Sequence, residues 1–194
     1  DQVNTLQHTC TIYLTENIVK LAEALAKVAP GRLQKSFFCA SGSEANEGAA
    51  LLASLYTGKS EFITLRQGLH GRTKLGMSLT GLMMWRTDSV PVQGISFAPN
   101  AYCYRCPMNK RYPECDFACA NEIETIITTA TSGNVAALYV EPVQGNGGII
   151  TPPPGYFKRV KEILDKYGIL MIVDEVQTGF GRTGKMFAIE HYGV

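Results

Sequence analysis

The sequence predicts an α/β fold: a three-layer α/β/α arrangement around a mainly parallel sheet. Three observations predict it. Short apolar runs alternate with helical patterns along the chain. Two of those runs, VAALYVEPV (135–143) and ILMIVDEV (169–176), are apolar almost throughout, as strands covered on both faces must be. The helix between them has Pro at its start and Gly at its end.

Taken in order, residues 16–29 (ENIVKLAEALAKVA) place Ile18, Leu21, Leu25 and Val28 at helical spacing, and Pro30-Gly31 stops that helix. KSFFCA (35–40) reads as a short buried strand. Ser41-Gly42-Ser43-Glu44 then opens a helix to about Tyr56; Ser41 with Glu44 fits a capping box, and Thr57-Gly58 closes the helix. EFITLR (61–66) and GISFAP (94–99) are strands. A helix over about 119–131 precedes the strand 135–143, PGYFKRVKEILDKYG (154–168) is a helix, and the strand 169–176 ends the series. No repeat, low-complexity tract or linker interrupts residues 1–194, which read as part of a single domain with a cysteine-rich loop at 100–120. Right-handed crossovers put the strand C-termini on one side, and ligands of such sheets bind outside those ends. The chemistry is therefore expected at Ser41–Ser43, Arg66–Arg72, Glu141–Asn146 and Asp174–Gln177.

Composition narrows the function. Of 194 residues, 45% are apolar and 18% charged, which is globular rather than disordered. Eighteen basic against 17 acidic residues leave a net charge of +1, no field to draw nucleic acid or a membrane surface. No window approaches a membrane-spanning length, and Asp1 to His8 lack the pattern of a signal peptide, so the expected location is cytoplasmic. The chain has no initiator Met, so it is expected to start inside a longer gene product or after a removed segment. Four of six cysteines cluster as Cys103-x2-Cys106-x8-Cys115-x3-Cys119. That spacing leaves three readings open: a zinc knuckle, a surface loop without metal, or a redox disulfide.

Four motifs stand at the strand ends. Ser41-Gly42-Ser43 joins a strand to a helix, where free amides and the helix dipole bind phosphate; an ordinary helix cap is the plainer alternative. In Leu69-His70-Gly71-Arg72-Thr73, a His at a loop tip is ordinarily solvated and the Arg a surface residue. Glu141-Pro142-Val143-Gln144-Gly145 puts a carboxylate at a strand C-terminus, or is a turn that needs Pro and Gly. Asp174 ends an apolar strand, where a carboxylate is costly unless paired, and a protonated pyridine nitrogen is a suitable partner. Gly179 to Gly184 spells G-x-G-x-x-G, but Asp174 to Thr178 separate it from its strand. With Lys185 it nearly spells a P-loop, yet Met186 stands where Ser or Thr must bind magnesium.

SGSEANE (41–47), HGRT (70–73), EPVQGNGG (141–148) and DEVQTGFGRTGK (174–185), in this order, resemble the class III aminotransferases. These are pyridoxal-phosphate enzymes of fold type I, and the resemblance spans nearly the whole chain. It implies the large domain of that fold, incomplete at both ends, with pyridoxal 5'-phosphate as cofactor. It implies that Gly42 and Ser43 hold the phosphate through their backbone and that His70 lies near one face of the ring. It implies that Asp174 pairs with the ring nitrogen, that Leu69 and Val176 pack on opposite faces, and that Gln177 bonds the phenolic oxygen. Glu141 would face the substrate, so the catalytic candidates are Asp174 and Glu141. The implied reaction moves an amino group between an amino acid or ω-amine, such as 4-aminobutyrate, ornithine or alanine, and a 2-oxo acid. Lyases, racemases and mutases share the scaffold. Fold type I active sites form between two subunits, so a homodimer is implied.

The chain departs from the family at several points. Tyr or Phe is usual where Leu69 stands, and several ω-amino-acid members carry Glu where Asn146 stands. The cysteine loop is not a general family feature. The family's Schiff-base lysine is expected past Val194, and Lys59, Lys74 and Lys185 are poor substitutes. On that expectation the 194 residues alone are inactive in transamination, and a non-catalytic truncated fragment is the alternative of another class.

Overall fold

Helices are built where the sequence supplies caps, and strands where apolar runs find partners, in a computed structural model that describes residues 1–10 and 12–194. The chain divides into two compact units, Asp1–Phe37 and Phe38–Val194. The first holds a short helix α1 (Gln2–Thr5) and helix α2 (Glu16–Val28), which starts after Thr15 and stops before Ala29-Pro30. The helical periodicity is there, but none of the residues of α2 is buried. The expected strand at 35–40 is absent: its residues are exposed, Phe37 at 77% and Phe38 at 40%, and pair with no described strand. An apolar run becomes a strand only where a ladder partner lies beside it, and here none does.

The second unit runs α3 (Gly42–Thr57), β1 (Glu61–Leu65), α4 (Lys74–Leu79), β2 (Ile95–Ala98), α5 (Ala118–Thr129), β3 (Val135–Val140), α6 (Tyr156–Tyr167) and β4 (Leu170–Val173). Helix α3 ends on Gly58, whose φ of 69° only glycine takes without strain. The four strands form one parallel sheet in the order β2-β1-β3-β4. Phe62, Ala137 and Tyr139 pack with Ala50 and Ala53 of α3 and Leu79 of α4 on one face. Ile63, Leu65, Leu138 and Val140 pack with Ile123 and Ile127 of α5 and Val160 and Leu164 of α6 on the other. The period-two alternation of the strands thus divides two cores, and the three layers follow from it.

The expected strand 135–143 ends at Val140, and the outer strand departs further from the reading. Strand β3 is buried throughout, whereas β4 is only half-buried, because it pairs with β3 alone and is an edge of the described sheet. The expected strand 169–176 ends at Val173, since Asp174 turns the chain by accepting the Val176 N–H on its own side chain. Helix α4 fell outside the sequence reading; Thr73 caps it by accepting the Gly76 N–H. No helix among the described residues is long and apolar enough to cross a membrane.

Candidate functional site

The strand order fixes where a ligand can sit. The chain leaving β1 crosses to β2 on one side, and the chain leaving β3 crosses to β4 on the other. The C-terminal ends of β1 and β3 therefore flank a switch point, where parallel sheets open a crevice. Two buried side chains of the turn after β3 stitch it to the loop after β1. Glu141 Oε1 accepts the Leu69 N–H at 2.9 Å and Oε2 accepts the Gly145 N–H at 3.1 Å. Gln144 Nε2 donates to the Arg66 carbonyl at 2.9 Å. Burial raises the Glu141 carboxyl above its ordinary range, against the Leu69 N–H, His70 and the Gly145 N–H. Glu141 thus has one backbone donor on each oxygen, and its position is that of a brace across the crevice floor.

Asp174 closes the next strand end. Its N–H donates to the Val140 carbonyl at 2.7 Å, which carries the β3–β4 ladder one step past β4. Asp174 is 8% exposed, and its carboxylate is met by three donors. Oδ2 faces His70 Nδ1 at 2.9 Å and receives Asn46 Nδ2 at 2.9 Å; Oδ1 receives the Val176 N–H at 3.1 Å. Burial pushes this carboxyl up, but the hydrogen bond and charge of His70 outweigh it, helped by Asn46 and the Val176 N–H. The net result holds Asp174 below the usual carboxylate value. Each carboxylate oxygen has room for two donors, so one acceptor position remains, on Oδ1.

His70 is not at a solvated loop tip. It is 1% exposed, lies 5.4 Å from the Tyr139 ring between centroids, and has its N–H on Thr80 Oγ1 at 3.1 Å. Its Nδ1 faces Asp174 Oδ2, the contact that links it to the end of β4. Its Nε2 is buried without a partner. Leu69 is half-buried beside it, and Arg72 is exposed with its guanidinium 5.1 Å above the Trp85 ring.

The N-terminus of α3 completes the arrangement. Ser41 Oγ accepts the Glu44 N–H at 3.2 Å, while the Glu44 carboxylate accepts the Ala40 N–H at 2.6 Å, so the capping box closes one residue early. The first amides of a helix have no intrahelical acceptor and sit at the positive end of its dipole, and Gly42 and Ser43 occupy that place. Ser43 Oγ accepts the Arg72 N–H at 3.1 Å, which ties the loop after β1 to this helix end. Gly71 allows the approach: at its φ of 124° a Cβ would lie 2.5 Å from Ser43 Oγ. Gly42 abuts Val176, whose Cγ2 would be 2.8 Å from a Cβ there. Val176 is 73% exposed and presents an apolar surface beside the helix end. Gln177 is also exposed and packs on Gly145, where a Cβ would lie 2.6 Å from Gln177 Oε1.

Asn46, Gln144 and Glu175 lie within the motifs singled out in the sequence, but were given no role there. Asn46 lies with Ala50 and Ala53 on the buried face of α3, a spacing of four and three that could have marked it. Glu175 accepts the N–H groups of Ala188 and Ile189 at 3.0 and 2.9 Å and the Thr178 hydroxyl, which folds the glycine-rich stretch back on itself. That stretch is a run of turns rather than the tight strand-to-helix turn of a phosphate loop. Lys59 reaches the carbonyls of Tyr167 and Gly168, Lys74 pairs with Asp88, and Lys185 reaches the Glu190 carbonyl, so none of the three stands at the crevice. Cys103, Cys106, Cys115 and Cys119 line one small cavity with free thiols. Among the described residues no three donor side chains converge as metal ligands.

A family model described as aminotransferase class-III matches residues 1–194. Leucine/methionine racemase of Thermococcus litoralis is 42% identical over the whole chain, which covers 44% of that protein. Acetylornithine aminotransferase of Methanosarcina acetivorans is 40% identical, again over the whole chain and 44% of that protein. The chain thus spans less than half the length of these relatives. Among solved structures, a PLP-bound amine transaminase from an uncultivated Pseudomonas species superposes with a TM-score of 0.93 at 34% identity. It is matched over 100% of this chain and 46% of its own. A thermostable (S)-enantioselective omega-transaminase from Thermomicrobium roseum gives 0.93 at 33% identity, over 100% and 45%.

Proposed function

The chain belongs to the class III aminotransferase family, and from that premise we propose that its polypeptide transfers an amino group between an amino acid or ω-amine and a 2-oxo acid, using pyridoxal phosphate. The observation that carries the proposal is Asp174: a buried, ionised carboxylate with one unfilled acceptor position, next to the N-terminus of α3. The features fit the cofactor in both charge and shape. The first amides of α3 at Gly42 and Ser43 suit a phosphate, and Asp174 suits a protonated ring nitrogen. Val176 offers an exposed apolar surface between these two points, with Leu69 half-buried for the other face and Gln177 free for the phenolic oxygen. When bound, pyridoxal phosphate supplies an electron sink for a proton leaving the substrate carbon.

The chain's own residues then have separable tasks. Asp174 holds the ring nitrogen's proton, and Val176 excludes water from one ring face. Glu141, tied to Leu69 and Gly145, holds the two loops at a fixed spacing on the substrate side. Leu69 gives that face an aliphatic contact in place of an aromatic stack, which removes a π interaction and leaves packing alone.

Racemisation on the same scaffold is a second reading, favoured by the 42% identity to a leucine/methionine racemase. The test uses the full-length polypeptide with pyridoxal phosphate. Amino donor consumed in step with 2-oxo acid acceptor supports the aminotransferase. Loss of optical activity in a single amino acid, without an acceptor, supports the racemase and overturns the first reading. A cytoplasmic homodimer is part of the proposal; light scattering at the monomer mass would remove the dimer.

A further inference from the structure

Asp174 is held by Asn46, a residue of the SGSEANE stretch (41–47) to which the sequence reading assigned no role. Asn46 sits in the second turn of α3 and is 6% exposed. Its Nδ2 donates to Asp174 Oδ2 at 2.9 Å and to the His70 carbonyl at 3.0 Å. Both neighbours are acceptors, so the amide orientation is fixed with nitrogen toward them and both hydrogens are used. Its backbone carbonyl, not the side-chain amide, receives the Tyr139 hydroxyl at 2.7 Å. One side chain therefore locks three elements together: α3, the loop after β1 and the end of β4.

We propose that Asn46 is a positioning residue for Asp174: with His70 it fills both acceptor positions of Oδ2, so that the one free position of the carboxylate is on Oδ1. The ring nitrogen of the cofactor then has a single place to donate. Without Asn46, the carboxylate keeps one donor on each oxygen, from His70 and the Val176 N–H, but Oδ2 regains an open position equal to that on Oδ1, and the His70 carbonyl loses its buried donor. The distance along α3 makes the arrangement specific. Asn46 is three residues beyond Ser43, about 4.5 Å of helix rise, so the helix that offers amides to a phosphate also clamps the carboxylate meant for the ring. The proposal rests on the pyridoxal-phosphate reading above.

The charged and titratable groups around Asp174 are His70 from the loop after β1, Tyr139 on β3 and Glu141 after it. Removing Asn46 leaves all three in place. The experiment compares full-length wild type, Asn46→Ala, Asn46→Ser as a milder variant, and Tyr139→Phe. Tyr139→Phe loosens the same helix without touching the carboxylate, so it reports a merely structural effect. Pyridoxal phosphate labelled with 15N in the ring is bound to each protein, its dissociation constant is measured by dialysis, and its nitrogen is followed by NMR against pH.

Asn46→Ala is expected to weaken cofactor binding about tenfold, the loss of one charge-assisted hydrogen bond, and to let the ring nitrogen lose its proton at lower pH. Tyr139→Phe is expected to lower thermal stability and leave the nitrogen's titration in place. Equal effects of Asn46→Ala and Tyr139→Phe, or an unmoved nitrogen in Asn46→Ala, overturn the proposal. A wild type that holds no pyridoxal phosphate overturns the functional reading instead. The clamp is then decided in cofactor-free protein by carboxyl 13C titration of Asp174, which must shift upward in Asn46→Ala. If Asn46→Ala does not fold, Asn46→Ser decides by the same readouts.

Discussion

Replacing Asp174 by Asn keeps the volume and removes the charge. The amide oxygen can take the place of Oδ2, where it still accepts from Asn46 and His70, both at 2.9 Å. The amide nitrogen then stands where Oδ1 stood, facing the Val176 N–H at 3.1 Å, and two donors meet. A buried donor left without its acceptor costs about 1–3 kcal/mol, and the two retained bonds lose their charge assistance. The expected loss is about 2–4 kcal/mol of folding stability at neutral pH. The pH dependence has a definite sign. Asp174 titrates below its ordinary 3.8 in the folded protein, so its contribution is complete above that value and is lost as pH falls through the lower folded value. Urea unfolding of the full-length protein and its Asp174→Asn variant, without cofactor, should show a gap at pH 7 that narrows below about pH 3.8. A gap as wide at pH 3 as at pH 7, or none at pH 7, refutes the reasoning.

Other perturbations test the neighbouring contacts. Glu141→Gln leaves one of the Leu69 and Gly145 N–H groups facing an amide nitrogen and should cost about 1–3 kcal/mol in denaturant midpoint analysis; a neutral result would remove the brace. Gly71→Ala puts a methyl 2.5 Å from Ser43 Oγ on a backbone at φ 124°, so a loss of about 1–3 kcal/mol in thermal unfolding is expected, together with weaker pyridoxal phosphate retention. Ser43→Ala frees the Arg72 N–H and should weaken pyridoxal phosphate binding with little change in stability, because that N–H is exposed. Burial pushes the Cys119 thiol to about 11, so labelling with a disulfide reagent at pH 8, read by peptide mass, should be far slower there than at the exposed Cys10 and Cys39.

The sequence alone determined the fold class and marked the stretches where the chemistry is proposed. Two runs of unbroken apolar residues and the Pro–Gly punctuation between them are local signals, and local signals survive without tertiary context. Glu141 and Asp174 were legible as carboxylates because strand ends in a parallel sheet gather on one side, whereas Gly42 and Ser43 were legible only from the Ser41 cap of a helix start, with no strand before it. What no local pattern contains is which groups meet. His70 looked solvated, and only the closure of the loop after β1 over Tyr139 buries it against Asp174. KSFFCA has a strand's composition and no strand's partner. Asn46 reads as one polar residue in a helix until Asp174, 128 residues further on, is brought to 2.9 Å. A hydrogen bond between residues so far apart depends on how the layers stack, so its partners are assigned by the tertiary structure and by nothing shorter in range.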